Sequence, residues 1–185
     1  MKSFGGEQTT YLENVMDSTE VISRNVKFIV YHVPLYSSTG QWNTNRKALE
    51  GQKNWVPLFD KYNVTAAFEN HVHAFKRTEP MVASKYDSSG TVYLGDGLWG
   101  VPASDIPSAD MISSNQGGRL AVSGRHHHVW RVDVKDKGSH TIFQAVGTQK
   151  QILDKVERYT DKEGLHVQWK SSNHPNARHP SDIAN

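Results

Sequence analysis

The chain has 185 residues, of which 36% are hydrophobic and 22% charged, a globular rather than a disordered composition and enough for one domain with a real core. Lys plus Arg is 21 and Asp plus Glu is 19, a net charge of +2 spread along the chain, which argues against nucleic acid as the main partner. There are no cysteines, so disulfides, thiolate metal sites and cysteine nucleophiles are excluded, and no stretch approaches the ~20 apolar residues of a membrane helix.

The segment Met1-Lys2-Ser3-Phe4-Gly5-Gly6 lacks the apolar core of a signal peptide; a secreted protein whose signal lay upstream would read the same. Glu7 to Thr19 predicts a helix with Tyr11, Leu12, Val15 and Met16 as its apolar stripe. Val26 to Tyr31 is a β-branched and aromatic run that predicts a strand ending at His32, with Pro34 stopping the ladder. A second helix is expected from Arg46 to Tyr62, buried through Leu49, Trp55, Leu58 and Phe59, and kinked or restarted at Pro57. Val64 to Phe68 and Thr91 to Leu94 predict two more short strands, the second running into the glycine-rich Gly95-Asp96-Gly97. Val101 to Gly118 reads as a surface loop. From His127 on, alternating patterns that include Thr141 to Val146 and Gln151 to Val156 predict an antiparallel meander. Thr160 to Asn185 is polar and reads as a frayed tail. Helix–strand alternation followed by strands alone predicts an α/β layer fold with a mixed sheet, parallel first and antiparallel later.

Ten histidines are the compositional outlier. Two predicted strands run straight into histidines: Tyr31-His32-Val33-Pro34 and Phe68-Glu69-Asn70-His71-Val72-His73. In an open α/β sheet, ligands gather beyond the carboxyl ends of the strands, so His32, His71 and His73 are expected to face one crevice. Imidazole suits Zn, Fe and Mn, and the three are the candidate metal ligands. In His126-His127-His128, strand alternation sends neighbours to opposite faces, so the three cannot converge; His126 and His128 read as structural or rim residues. Lys76 and Arg77 are candidates either to meet a phosphate or to brace their loop through Glu69 or Glu79. Trp42, Trp55, Trp99 and Trp130 are read as core or pocket wall.

His32-Val33-Pro34-Leu35-Tyr36-Ser37 resembles the HHPLYS segment of calcineurin-like phosphoesterases, in particular purple acid phosphatases. His71 to Pro80, His-Val-His-Ala-Phe-Lys-Arg-Thr-Glu-Pro, resembles their GHVHAYERTxP segment, and His127-His128-Val129-Trp130 their late HHFW strand. The resemblance implies metal-dependent hydrolysis of phosphate esters at a dimetal centre of Fe, Zn or Mn, with His32 and His71 on one ion and His73 on the other. It implies the second half of a four-layer α/β/β/α sandwich, residues 1–158 being the C-terminal part of the catalytic domain and 159–185 a polar tail. It also implies a phosphate-ester substrate and a secreted or extracellular setting. The family's earlier motifs, Gly-Asp-x-Gly and Gly-Asn-His-Glu or -Asp, are absent from the sequence, and Asn70 stands where the pattern has glycine, a swap expected of a residue that tolerates left-handed backbone angles. The isolated chain is therefore expected to be inactive; the alternative is a non-catalytic, truncated domain that packs with a partner.

Overall fold

The computed structural model describes residues 4–39, 45–95, 97–105, 120–161 and 167–172. The first predicted helix divides into α1 (Glu7–Met16) and α2 (Thr19–Ile22). Ser18 is extended, and its hydroxyl accepts the Val21 N–H at 3.4 Å, so it caps the second piece. Of the expected stripe only Leu12 and Met16 turn inward, while Tyr11 and Val15 are exposed. The second predicted helix divides into α3 (Arg46–Asn54) and α4 (Val56–Lys61), Pro57 occupying the first turn of α4, where its missing N–H is harmless. Trp55, Leu58 and Phe59 are buried as expected; Leu49 is not, because α3 meets the core through Ala48 and Gly51. A Cβ on Gly51 would lie 2.2 Å from the Leu35 side chain, so that helix face must stay small.

Three short strands, β1 (Phe28–Val30), β2 (Ala66–Phe68) and β6 (Val92–Gly95), run parallel in the order β1-β2-β6. β1 and β2 are shorter than the sequence patterns suggest, and two further strands complete their sheet antiparallel: β3 (Phe75–Thr78) beside β6, and β7 (Leu120–Gly124) beside β3. A hairpin of β4 (Met81–Val82) and β5 (Lys85–Tyr86) is bridged to the start of β6 by mutual hydrogen bonds between Met81 and Thr91. Its turn residues Ala83 and Ser84 both have positive φ, and they are held by Asp60 Oδ2, which accepts the Ala83 N–H at 2.9 Å, and by a 2.5 Å contact between the Tyr36 and Ser84 hydroxyls.

The expected meander is an antiparallel sheet of β8 (His128–Lys135), β9 (His140–Gly147) and β10 (Ile152–Thr160). The tail reading is corrected for Val167–Ser172, which form β11 against β10 with Thr160 opposite Val167. Trp169 supplies the reason: its ring stacks on buried Phe143 at 6.0 Å, so a strand polar on one face has an apolar anchor on the other. Residues 173–185 lie outside the described residues, as do Trp42 and positions 106–118 of the predicted surface loop.

Three layers result. Met16 of α1, Trp55 at the junction of α3 and α4, and Val56 and Phe59 of α4 pack against Ala67 and Tyr93 on one face of the five-stranded sheet. On the other face, Ala66, Val92 and Leu94 meet Phe143 and Val156 of the four-stranded sheet. The fold is α/β with a mixed sheet, and both histidine-bearing strand ends lie on one edge of it. Among the described residues no helix is long and apolar enough to cross a membrane.

Candidate functional site

Because β1 and β2 are parallel neighbours, His32 and His71 leave the same sheet edge. The pairing continues past the strands: the Tyr31 N–H donates to the Phe68 carbonyl at 3.0 Å, and the Asn70 N–H donates to the His32 carbonyl at 3.1 Å. The Asn70 side-chain amide adds a bond to the Tyr31 carbonyl at 2.9 Å. This corrects the reason expected for asparagine here: Asn70 is not among the residues with positive φ, and it acts through its side chain. Gly97 is the residue that must lack a Cβ, which would lie 2.1 Å from the Asn70 carbonyl oxygen.

His71 Nδ1 and His32 Nε2 are 2.8 Å apart, with ring centroids at 4.8 Å and planes at 83°. One nitrogen must donate and the other accept, so at least one ring is neutral. The His71 pKa is lowered, chiefly by partial burial and then by His32, His73 and Lys47, which favours the neutral ring. His73 is held through its backbone, its N–H donating to Ser104 Oγ at 3.2 Å and its carbonyl accepting the Ser104 N–H at 2.8 Å. His128 is buried, with its ring nitrogens 2.9 Å from the His126 carbonyl and 3.0 Å from the Gly95 carbonyl. Its burial suits the structural role read from the sequence. His126 and His127 are exposed.

Beside the pair, a cavity of about 430 Å³ opens between the sheets, walled by Phe68, Leu94, Leu98, Trp99 and Trp130, with Asn70 at its polar side. Of the two candidate phosphate-facing cations, Lys76 pairs with Glu69, one of the two acids expected, and Arg77 with Asp154, which the sequence reading did not single out. Asp154 sits 77 positions from Arg77, beyond any local pattern.

No protein-family profile matches the chain. Probable purple acid phosphatase 20 of Arabidopsis thaliana is 30% identical over 95 residues, which make up 50% of this chain and 22% of that protein. The solved structure of purple acid phosphatase PPD1 from yellow lupin (Lupinus luteus) seeds matches with a TM-score of 0.74 at 18% identity, covering 88% of this chain and 30% of that one. The fold is of the purple acid phosphatase type. The chain spans 22% and 30% of these two relatives, coverage that fits a C-terminal portion of such a protein.

The dimetal centre that a purple acid phosphatase resemblance implies can be tested against the donors present. Two imidazole nitrogens on one ion, each at about 2.0–2.1 Å, stand about 3.0–3.4 Å apart. His32 and His71 at 2.8 Å need open only slightly to admit one. Among the described residues, however, no group of three or more His, Cys, Asp or Glu is placed to hold a metal ion. The described residues thus fit part of one ion's ligand shell and not a complete centre.

Proposed function

We propose that this chain is the C-terminal part of a metal-dependent phosphoesterase catalytic domain, acting on phosphate esters once residues beyond those described complete its dimetal centre and the fourth layer of its sandwich. The observation that carries the reading is the 2.8 Å approach of the His32 and His71 ring nitrogens at the carboxyl ends of two parallel strands. In this reading the pair holds one ion, and His73 serves the second. When bound, such ions would supply electrostatic stabilisation of the phosphoryl group and an activated water; the part of this chain is to hold and orient through His32, His71 and His73, and the carboxylate ligands would come from elsewhere. Titration of the 185-residue chain with Co²⁺ or Zn²⁺ tests the ligand assignment: binding should weaken at least tenfold in His32→Ala and in His71→Ala. Equal affinity in wild type and both variants would remove the metal reading. The chain alone should show negligible turnover of an aryl phosphate, and chelator-sensitive turnover would show its centre to be complete.

A second reading, a non-catalytic domain that packs with a partner, draws on a different observation. β1 is an edge strand with Val30 72% exposed, and the apolar cavity opens beside it. Such an edge invites a further strand. Both readings require a covering polypeptide and differ in whether it brings carboxylate ligands.

A further inference from the structure

Directly behind the histidine pair lies a buried charge pair. Glu69 is 1% exposed and Lys76 0%, and no ordinary fold requirement places two full charges there. Glu69 Oε1 accepts two hydrogen bonds at 2.6 Å, from the Tyr31 hydroxyl and from the Leu35 N–H. Glu69 Oε2 accepts from Lys76 Nζ, which also donates to the Tyr36 carbonyl. The two side chains therefore bond to residues 31, 35 and 36, which flank His32 on both sides, while Glu69 itself is two residues from His71. Gly95 leaves the room for this arrangement, since a Cβ there would lie 2.8 Å from Lys76 Cε.

A matched apolar pair could fill the same volume without the cost of burying two ions. It could not bond to the Leu35 N–H or the Tyr36 carbonyl, which lie in a loop with no strand ladder to hold them. We propose that Glu69 and Lys76 are positioning residues, a charged clamp that fixes the His32 loop against the His71 loop and so sets the separation of the two imidazoles before any ion arrives. The clamp acts through the Leu35 N–H, the Tyr36 carbonyl and the Tyr31 hydroxyl. It deepens the metal-site reading above, yet its geometry is a property of the metal-free chain, so the two ideas fail separately.

The second buried ion pair supplies the control. Arg77 and Asp154 are 3% and 0% exposed and bond at 2.6 Å and 3.2 Å, but they join β3 to β10, away from the histidine loops. Two double variants of the 185-residue chain, Glu69→Leu/Lys76→Met and Arg77→Met/Asp154→Leu, are compared by thermal melting. They are also compared by the through-hydrogen-bond ¹⁵N–¹⁵N coupling between the His32 and His71 rings in metal-free protein at pH 8, and by Co²⁺ titration. The first variant should lose the coupling and at least tenfold of its Co²⁺ affinity; the second should keep both, whatever happens to its melting temperature. A folded Glu69→Leu/Lys76→Met protein that retains the coupling overturns the clamp, as does equal loss in both variants. Loss of the coupling with unchanged Co²⁺ affinity would support the clamp and sink the metal assignment instead. Should the first variant fail to fold, the wild-type chain still decides: the Leu35 amide, which among the described residues donates to the Glu69 carboxylate, should exchange with solvent as slowly as the Tyr31 amide paired to Phe68, and rapid exchange would overturn the proposal.

Discussion

The two sheets solve the same packing problem differently. The four-stranded sheet is made of strands of six to nine residues, each paired with its neighbour in sequence, so its ladder holds it together. The five-stranded sheet uses strands of three to five residues, paired out of sequence order beyond β1 and β2, and its strand ends are tied by side chains: Asn70 to the Tyr31 carbonyl, Glu69 to the Leu35 N–H, Thr78 Oγ1 to the Tyr93 N–H at 2.9 Å. Short strands free the chain to present histidines at the sheet edge, and buried polar groups then supply the order that a longer ladder would have given. β3 is where the two strategies meet. Its neighbours Lys76 and Arg77 point to opposite faces, one to the histidine loops and one to the second sheet.

This contrast predicts the largest effect for breaking either ion pair singly. Lys76→Ala leaves the Glu69 carboxylate buried without its counter-charge and should cost about 3–5 kcal/mol, as should Asp154→Ala for Arg77. Urea unfolding measures both, and a loss below about 1 kcal/mol at Lys76 would mean that the site-bearing sheet does not depend on its charges. Next comes the apolar seam between the sheets. Leu94→Ala, at a position fully buried against Phe143 and Val156, should cost about 2–4 kcal/mol by transfer and cavity terms.

A pH test addresses the long-stranded sheet alone. Glu157 accepts hydrogen bonds from Lys155 at 2.5 Å, Tyr159 at 2.6 Å and His140 at 2.7 Å, which together lower its pKa from 4.5 to about 2. A carboxylate depressed in the folded state adds stability that is present above its unfolded pKa and is lost as pH falls toward the folded one. The urea midpoint should therefore drop between pH 4.5 and pH 2, and Glu157→Gln should flatten that drop. An unchanged slope in the variant would mean that the cluster contributes nothing. The smallest effect is expected at the β4–β5 turn: Ala83→Gly relieves a φ of 47° and should stabilise by about 0.5 kcal/mol, read as a small rise in melting temperature.

Local pattern alone made several features legible. Strand-to-histidine junctions at His32 and His71, the Pro57 restart and the antiparallel order of β8 to β10 all follow from periodicity, proline chemistry and alternation over a few residues. The placement of His32 beside His71 was inferable too, since helix-linked strands run parallel and share a carboxyl edge. Other features depended on partners distant in sequence. β11 exists because Trp169 finds Phe143, and Leu49 lies outside because Gly51 brings α3 close to Leu35. Arg77 finds Asp154 rather than Glu79 because alternation turns it toward the second sheet, and Asn70 serves as a staple because the Tyr31 carbonyl ends an adjacent strand. The sequence by itself determined which residue types stand at each strand end, because short-range sterics and period act within a few positions. Only the tertiary structure decided which buried polar groups meet, because a charge in a dry interior takes whatever partner packing brings within hydrogen-bond reach, and that partner can be 77 residues away.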